Sequence, residues 1–319
     1  MRYVYVLVDR GELAISYASL CLLSATSVRG VDPAARITIV ADPATVRSLR
    51  QRKHRVLDAA DDWVEATAEG TPTYISRFLK TTLLQRLQDS FVYLDGDTVV
   101  VRPIAGRGRH PASLQMVADR FLHHPKPGFP DWVRPLYQQM GWEPTRHYFN
   151  AGVIFVRNDG DAGRLFEQWH DRWQAFVRAT GRMNDQPALN SAIEACGVSV
   201  AHLPLRYNAM VKVRERYRWR ARTLHFFIDQ AAVDEGTAYG SLLARAERGP
   251  LPTFDDISRG MRCRRPLVDP WSVKRQIAAG DALGLLGRLC RWGRRKAASS
   301  IRARIRRCRG DGAPSPDLN

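Results

Sequence analysis

Residues 91–104 read FVYLDGDTVVVRPI. Phe91 to Leu94 are mostly apolar and run straight into Asp95-Gly96-Asp97, and a second apolar run follows. An apolar run closed by turn residues fits a buried strand, and open α/β sheets bind ligands beyond the carboxyl ends of their strands. Asp95 and Asp97 lie two positions apart, so in extended backbone both carboxylates point to one face. Two hard oxygen donors with only Gly96 between them suit a divalent cation that keeps positions open for phosphates. The same Asp-Gly pair between apolar runs is equally a strong hairpin signal. Taken alone, the stretch leaves both readings open.

Upstream, Tyr3 to Val8 is apolar and β-prone and ends at Asp9. Leu13, Tyr17, Leu20, Ser24 and Val28 recur at helical spacing, closed by Gly30 and Pro33. Ile37 to Val40 reads as a second strand ending in Ala41-Asp42-Pro43, with a polar helix to about His54 and a short third strand at Val56-Leu57. This β-α-β-α-β order is the pattern of a parallel sheet with helices on its faces. A further helix starts at Pro72 on the stripe Ile75, Phe78, Leu79, Leu83 and Leu87. Arg77 and Lys80 lie off that stripe, where solvated helix charge is the ordinary reading. The helix leads directly into residue 91, which brings its N-terminal end toward the paired aspartates.

Downstream, Leu114 to Ala118 reads as a strand ending in Asp119. Residues 122–145 are rich in Pro, Gly, His and Trp, with a short helix around Trp132 to Met140. A long insertion of this kind in a compact domain is often a binding loop, and here it is the candidate acceptor-contacting segment. Phe149 to Val156 (FNAGVIFV) is an apolar strand entered through Asn150-Ala151-Gly152, whose small residues let a ligand approach the backbone. Leu165, Phe166, Trp169, Trp173, Phe176 and Val177 mark an amphipathic helix whose aromatics are core packing. In Met183-Asn184-Asp185-Gln186-Pro187 a helix begins, with Asn184 as N-cap and capping chemistry as the ordinary role of Asp185. Val198 to Leu205 reads as a late strand. Between Val211 and Arg222 apolar and basic residues alternate, which predicts a strand with a cationic face. His225 follows among apolar residues, where a satisfied core histidine is more common than a ligand.

With 319 residues, 45% hydrophobic and 25% charged, the chain reads as soluble and globular. The opening MRYVYVLVDR turns polar too soon for a signal peptide or a membrane span. Five scattered cysteines (Cys21, Cys196, Cys263, Cys290, Cys308) lack metal-type spacing and fit reduced thiols in a cytosol. The net charge is +17, and ten basic residues with no acid among them lie in residues 288–309. Leu283, Leu286, Leu289, Cys290, Trp292, Ala297, Ile301, Ile305 and Cys308 recur there largely at spacings of three and four. A basic amphipathic segment of this kind reads as a membrane-surface element. The chain therefore divides into a catalytic domain, residues 1–280, and a basic tail, residues 281–319.

YLDGD, FNAGVIF, NDQ, LPLRYN and LHFF, in that order over roughly residues 1–228, resemble the family 8 glycosyltransferases, retaining enzymes of the GT-A fold. The resemblance implies a Rossmann-like, mostly parallel central sheet flanked by helices. It implies transfer of a hexose from a nucleotide diphosphate sugar, UDP-linked, to a glycan or lipid-linked acceptor. Asp95 and Asp97 look like the metal-binding pair and His225 like the third ligand, a set suited to Mn²⁺ or, alternatively, Mg²⁺. Asp119, Asn150, Ala151 and Gly152 match donor-binding positions. Asp185 and Gln186 match those that hold the sugar and stabilise charge at its anomeric carbon. Asp9 is similar to the residue that reads the base, and Arg77 to the basic residue approaching the sugar and diphosphate. The family's glycine and Lys-Pro-Trp after the late histidine are replaced here by FFIDQ, and its Asn-Tyr after the first aspartate is absent.

Two other classes use parts of this pattern. A nucleotidyltransferase also wants paired aspartates, but VLVDRGELAIS has one glycine where that class carries a Gly-rich, basic loop. A nucleic-acid-binding protein would explain a pI near 10.3, yet the charge is concentrated in one tail and no helix-turn-helix, zinc or RNP signature is present, so no specific nucleic acid is expected. The tail instead predicts an enzyme held peripherally on the cytoplasmic membrane through its anionic surface.

Overall fold

A computed structural model describes residues 1–11, 16–104, 111–119, 129–211, 215–227 and 238–262, together with Leu286, Leu289 and Cys290. The first half builds the predicted alternation: β1 (Arg2–Leu7), α1 (Tyr17–Val31), β2 (Arg36–Ala41), α2 (Pro43–Gln51) and β3 (Asp62–Glu65). Each helix start is encoded locally. The Ser16 hydroxyl accepts from the Ser19 N–H, and Asp42 accepts from the Ala44 N–H with Pro43 in the first turn. Val56-Leu57 is not the third strand. It belongs to a 3₁₀ turn, Arg55–Asp58. The strand forms at Asp62 instead, because that carboxylate meets Arg36 at 2.7 Å and the Thr38 hydroxyl on the neighbouring β2.

The Pro72 helix divides at Thr82 into α3 (Pro72–Thr81) and α4 (Leu83–Leu87), and a left-handed Gln88 ends it. Then follow β4 (Phe91–Leu94), β5 (Thr98–Val100), β6 (Leu114–Ala118), α5 (Arg134–Met140), β7 (Phe149–Val156) and α6 (Gly160–Thr180). The chain continues through α7 (Gln186–Cys196), β8 (Val200–His202), β9 (Ala209–Met210), β10 (Thr223–His225), α8 (Ala238–Arg248) and α9 (Phe254–Arg262).

Seven strands form the main sheet in the order β3-β2-β1-β4-β7-β6-β8, and only β7 runs against the others. Every residue of β4 and β7 is buried, which explains their unbroken apolar sequence. One face packs Leu7, Ile37 and Val153 against Cys21 and Leu22 of α1 and Val46 of α2. The other packs Tyr93, Ile154 and Met116 against Leu79 of α3, Phe166 and Trp169 of α6 and Leu189 of α7.

The hairpin reading of Asp95-Gly96-Asp97 fails, because β4 and β5 do not pair. β4 lies between β1 and β7, whereas β5 joins a second sheet of order β5-β10-β9. That sheet is supported by α1, α8 and α9 through Leu20, Leu224, Tyr239 and Ile257. The predicted cationic strand over residues 211–222 is also replaced. Residues 212–214 lie outside the description, and Glu215–Arg220 form a 3₁₀ turn. The reason is topological. β9 and β10 pair in parallel, so the chain between them must cross back rather than extend as a strand.

Candidate active site

Parallel strands β1, β4 and β6 deliver Asp9, Asp95 and Asp119 to one edge of the sheet. Antiparallel β7 begins at that edge with Asn150, and α7 begins there with Asp185 and Gln186. The aspartate turn is pinned by backbone contacts: the Asp95 N–H donates to the Gly152 carbonyl at 2.8 Å, and the Asp95 carbonyl accepts from the Thr98 hydroxyl at 2.8 Å. β5 then pairs antiparallel with β10 so that Thr98 faces His225. One strand pairing thereby carries His225 across the chain to the aspartates. Its Nε2 lies 3.4 Å from Asp97 Oδ1 and 3.8 Å from Asp95 Oδ2, and the three side chains offer ligand atoms within 4.8 Å of one another.

His225 is buried, and Gly152 makes room for it. A Cβ at residue 152 would stand 2.2 Å from His225 Cε1 and 3.0 Å from Asp95 Oδ2, so only glycine fits there. Burial opposes a charged imidazole, yet Asp97 and then Asp95 hold His225 above the ordinary histidine range. A site whose field favours a proton at Nε2 also favours a cation there, so the donor set of two carboxylates and one imidazole fits a divalent metal.

The other oxygen of Asp95 is committed elsewhere. Oδ1 accepts from the Tyr93 hydroxyl at 2.5 Å and from Lys80 Nζ at 3.2 Å. Burial and then the Asp95 charge push the Tyr93 phenol well above its usual range, which keeps it a donor. Lys80 is a residue of this site that sequence reasoning assigned to solvent. Its side chain is 3% exposed, and its ammonium also lies 3.1 Å from Asp185 Oδ2. Arg77, one turn earlier and a third exposed, meets Asp185 Oδ1 at 3.3 Å. The i, i+3 spacing of Arg77 and Lys80 on a helix running into the aspartates was the available signal.

Asp185, rather than Asn184, is the N-cap position of α7, and its side chain makes no capping hydrogen bond. The carboxylate faces the basic pair instead, and among the described residues Oδ2 is buried without an aligned hydrogen-bond donor. The turn carrying it is held from behind. The indoles of Trp169 and Trp173 donate to the carbonyls of Asp185 and Met183 at 3.0 and 3.2 Å, so these aromatics position the site as well as fill the core. Gln186 accepts from the Ala151 N–H at 3.1 Å and donates to Asp119 at 2.6 Å, and Asp119 also accepts from Asn150.

Asp9 occupies the same sheet edge but is already engaged. Its oxygens accept from the Gly11 and Ala18 N–H groups, from the Ser16 hydroxyl and from Arg52. Burial opposes its ionisation, but these partners hold it below the usual carboxylate range. Its visible role is to close the β1–α1 connection. The insertion joins the site through Tyr137, whose hydroxyl donates to the Pro187 carbonyl at 2.8 Å; residues 120–128 lie outside the description.

The model of the nucleotide-diphospho-sugar transferase family matches residues 35–233. The chain belongs to this family. The fold of this transferase is similar to that of the galactosyltransferase LgtC, solved with donor and acceptor sugar analogs: 17% identity, 82% of this chain and 100% of that one covered, and a TM-score of 0.53. An active-site glutamine-to-glutamate mutant of LgtC gives 16% identity at the same coverage and TM-score. The bifunctional glycosyltransferase WbbM follows at 15% identity, with 87% of this chain and 51% of that one covered and a TM-score of 0.49. A search of curated sequences returns no match. The transferase is thus an enzyme of the GT-A fold that acts on a nucleotide-diphospho-sugar donor. No helix among the described residues is long and apolar enough to cross a membrane.

Proposed function

We propose that this transferase is a retaining, metal-dependent hexosyltransferase that moves a hexose from a nucleotide diphosphate sugar, UDP-linked, to a hydroxyl of a glycan or lipid-linked acceptor. The observation that carries this reading is the convergence of Asp95, Asp97 and His225 within 4.8 Å, beside Asp185 and its basic partners. Asp95 Oδ2, Asp97 and His225 Nε2 would hold the cation, and the mixed oxygen and nitrogen set favours Mn²⁺ over Mg²⁺. When bound, such a cation supplies Lewis-acid stabilisation of the diphosphate leaving group. Asp185 Oδ2, buried and lacking an aligned donor, is suited to accept from a hydroxyl of the donor sugar. Gln186, held between the Ala151 N–H and Asp119, takes the role the sequence resemblance assigns it, holding the sugar and stabilising charge at its anomeric carbon. Arg77, partly exposed, reaches toward the sugar and diphosphate. Asp119, Asn150, Ala151 and Gly152 line the donor side.

Retention has a physical argument. Among the described residues, each carboxylate at this edge already has partners: Asp95 has Tyr93 and Lys80, Asp97 has His225, Asp185 has Arg77 and Lys80, and Asp119 has Gln186. Each is committed to the cation, to an ion pair or to the donor sugar rather than to a base on the opposite face, so in this reading the acceptor proton passes to the leaving phosphate on the same face. Transfer from an α-linked donor therefore gives an α-linked product. Proton NMR of the new anomeric centre tests this, and a β product rules the mechanism out.

The acceptor meets the site through the insertion at residues 129–145, and the basic tail brings the enzyme to the cytoplasmic membrane. Each basic residue near an anionic leaflet contributes about 1 kcal/mol, so half of the ten would hold the enzyme at the surface. Truncation before Asp281 should release the protein from anionic vesicles and leave donor hydrolysis intact. Equal co-sedimentation of the two forms at about 0.15 M salt, where exposed charges are screened beyond ~8 Å, contradicts the membrane assignment.

A further inference from the structure

Asn208 enters the sequence argument only as the last residue of LPLRYN. In the fold it is fully buried and links the two halves of the site. Pro204 starts a 3₁₀ turn, Leu205–Tyr207, that ends at Asn208, and β9 then pairs in parallel with β10 so that Met210 faces His225. The amide reaches Asn150 in one direction and His225 in the other.

The orientation of each group in this chain follows from a single backbone donor. The Gly152 N–H can only donate, and it does so to Asn150 at 2.9 Å, so the atom of Asn150 at that contact is Oδ1. The same Oδ1 lies 2.7 Å from Asn208, which must therefore present Nδ2 to it. Asn208 then turns Oδ1 toward His225 Nδ1 at 3.0 Å. An amide oxygen only accepts, so Nδ1 carries a proton toward Asn208. Nε2 is the nitrogen that faces Asp95 and Asp97, where a cation would take the place of its proton. At the far end Asn150 Nδ2 donates to Asp119, an acceptor-only carboxylate that holds the same polarity.

We propose that Asn208 is a positioning residue for the transfer reaction: it accepts from His225 Nδ1 and so holds Nε2 toward the two aspartates, the side on which a cation would bind. The inference rests on the metal reading above. Partners of this kind, which hold the second nitrogen of a ligating histidine, typically change metal affinity by about 10–100-fold when removed.

The test uses the full-length protein and Mn²⁺ alone, followed by electron paramagnetic resonance titration, with circular dichroism to verify folding. Asn208→Ala should weaken Mn²⁺ binding by about 10–100-fold, and Asn208→Asp, which keeps an acceptor for Nδ1, should bind Mn²⁺ more tightly than Asn208→Ala. A folded Asn208→Ala protein with unchanged Mn²⁺ affinity overturns the proposal while leaving the metal reading in place. An Asn208→Asp protein that folds and binds Mn²⁺ no better than Asn208→Ala also overturns it. A wild-type protein that binds no divalent cation overturns the metal reading and this proposal with it.

Discussion

Asp97→Ala and Asp95→Ala should each cut metal-dependent donor turnover by about 10²–10³-fold or more, the scale for removing preorganised charge stabilisation from a reacting centre. Each removes one of the three groups that converge at the site, and no other described acid stands close enough to replace it. The fold should survive the Asp97 change. The Asp97 carbonyl still accepts from the Phe226 N–H at 3.2 Å, and the β5–β10 pairing that carries His225 is backbone. Asp95→Ala differs in one respect, since it also strips Lys80 and Tyr93 of their shared acceptor. Steady-state hydrolysis with Mn²⁺, alongside circular dichroism to verify folding, reads both effects. Near-wild-type turnover in a folded Asp97→Ala protein would remove the metal site from the account.

Lys80→Met should produce the largest loss of stability among the site variants. The ammonium is buried and balances Asp95 at 3.2 Å and Asp185 at 3.1 Å, two carboxylates brought together from different parts of the chain. Removing one partner from a buried ion pair leaves the other charge uncompensated, a change that costs about 3–5 kcal/mol in general. Part of that is relieved here, because the Asp95 side chain is a quarter exposed and Arg77 still meets Asp185. Urea denaturation should therefore show a loss of about 3 kcal/mol, at the low end of that range. Arg77→Met should lose distinctly less, because Arg77 is a third exposed and water screens it. If the two variants are equally stable, Lys80 is not the internal counter-ion described here.

The framework of the fold was legible because local and long-range signals agree in it. Strands β1, β2, β4 and β7 are apolar runs ended by polar residues, and the helices between them begin at Ser16, Asp42 and Thr71, each with a capping hydrogen bond. The errors arose where the deciding partner lies far away in sequence. Asp62 and Trp63 make a strand because Arg36 and Thr38 accompany them on β2, and nothing within DWVE announces that. The alternation of residues 211–222 mimics a strand, but the parallel pairing of β9 with β10 demands a crossing connection. Asp-Gly reads as a hairpin until β5 is seen to leave for the second sheet.

The site divides in the same way. Asp95, Asp97 and His225 were found through the ordered motifs, and the structure brings all three together. Lys80 was assigned to solvent because helical periodicity separates stripe from non-stripe and says nothing of what lies opposite. Two carboxylates from β4 and the start of α7 turn that polar flank inward. Asn208 carried no signal beyond its place in a motif, since its role depends on a hydrogen-bond direction set by the backbone of Gly152. Asp9 shows the converse: a recognisable position whose carboxylate is engaged within the protein by Gly11, Ser16, Ala18 and Arg52.

The central claim is that the convergent Asp95, Asp97 and His225 serve a metal-dependent transfer from a nucleotide sugar. Slow hydrolysis of the donor needs no known acceptor, so a panel of UDP-, GDP-, ADP- and CDP-linked sugars incubated with the full chain tests it most directly. A UDP-linked hexose should be consumed in the presence of Mn²⁺, EDTA should stop the reaction, and added Mn²⁺ should restore it. Undiminished hydrolysis in excess EDTA, or no consumption of any nucleotide sugar in the panel, would contradict it.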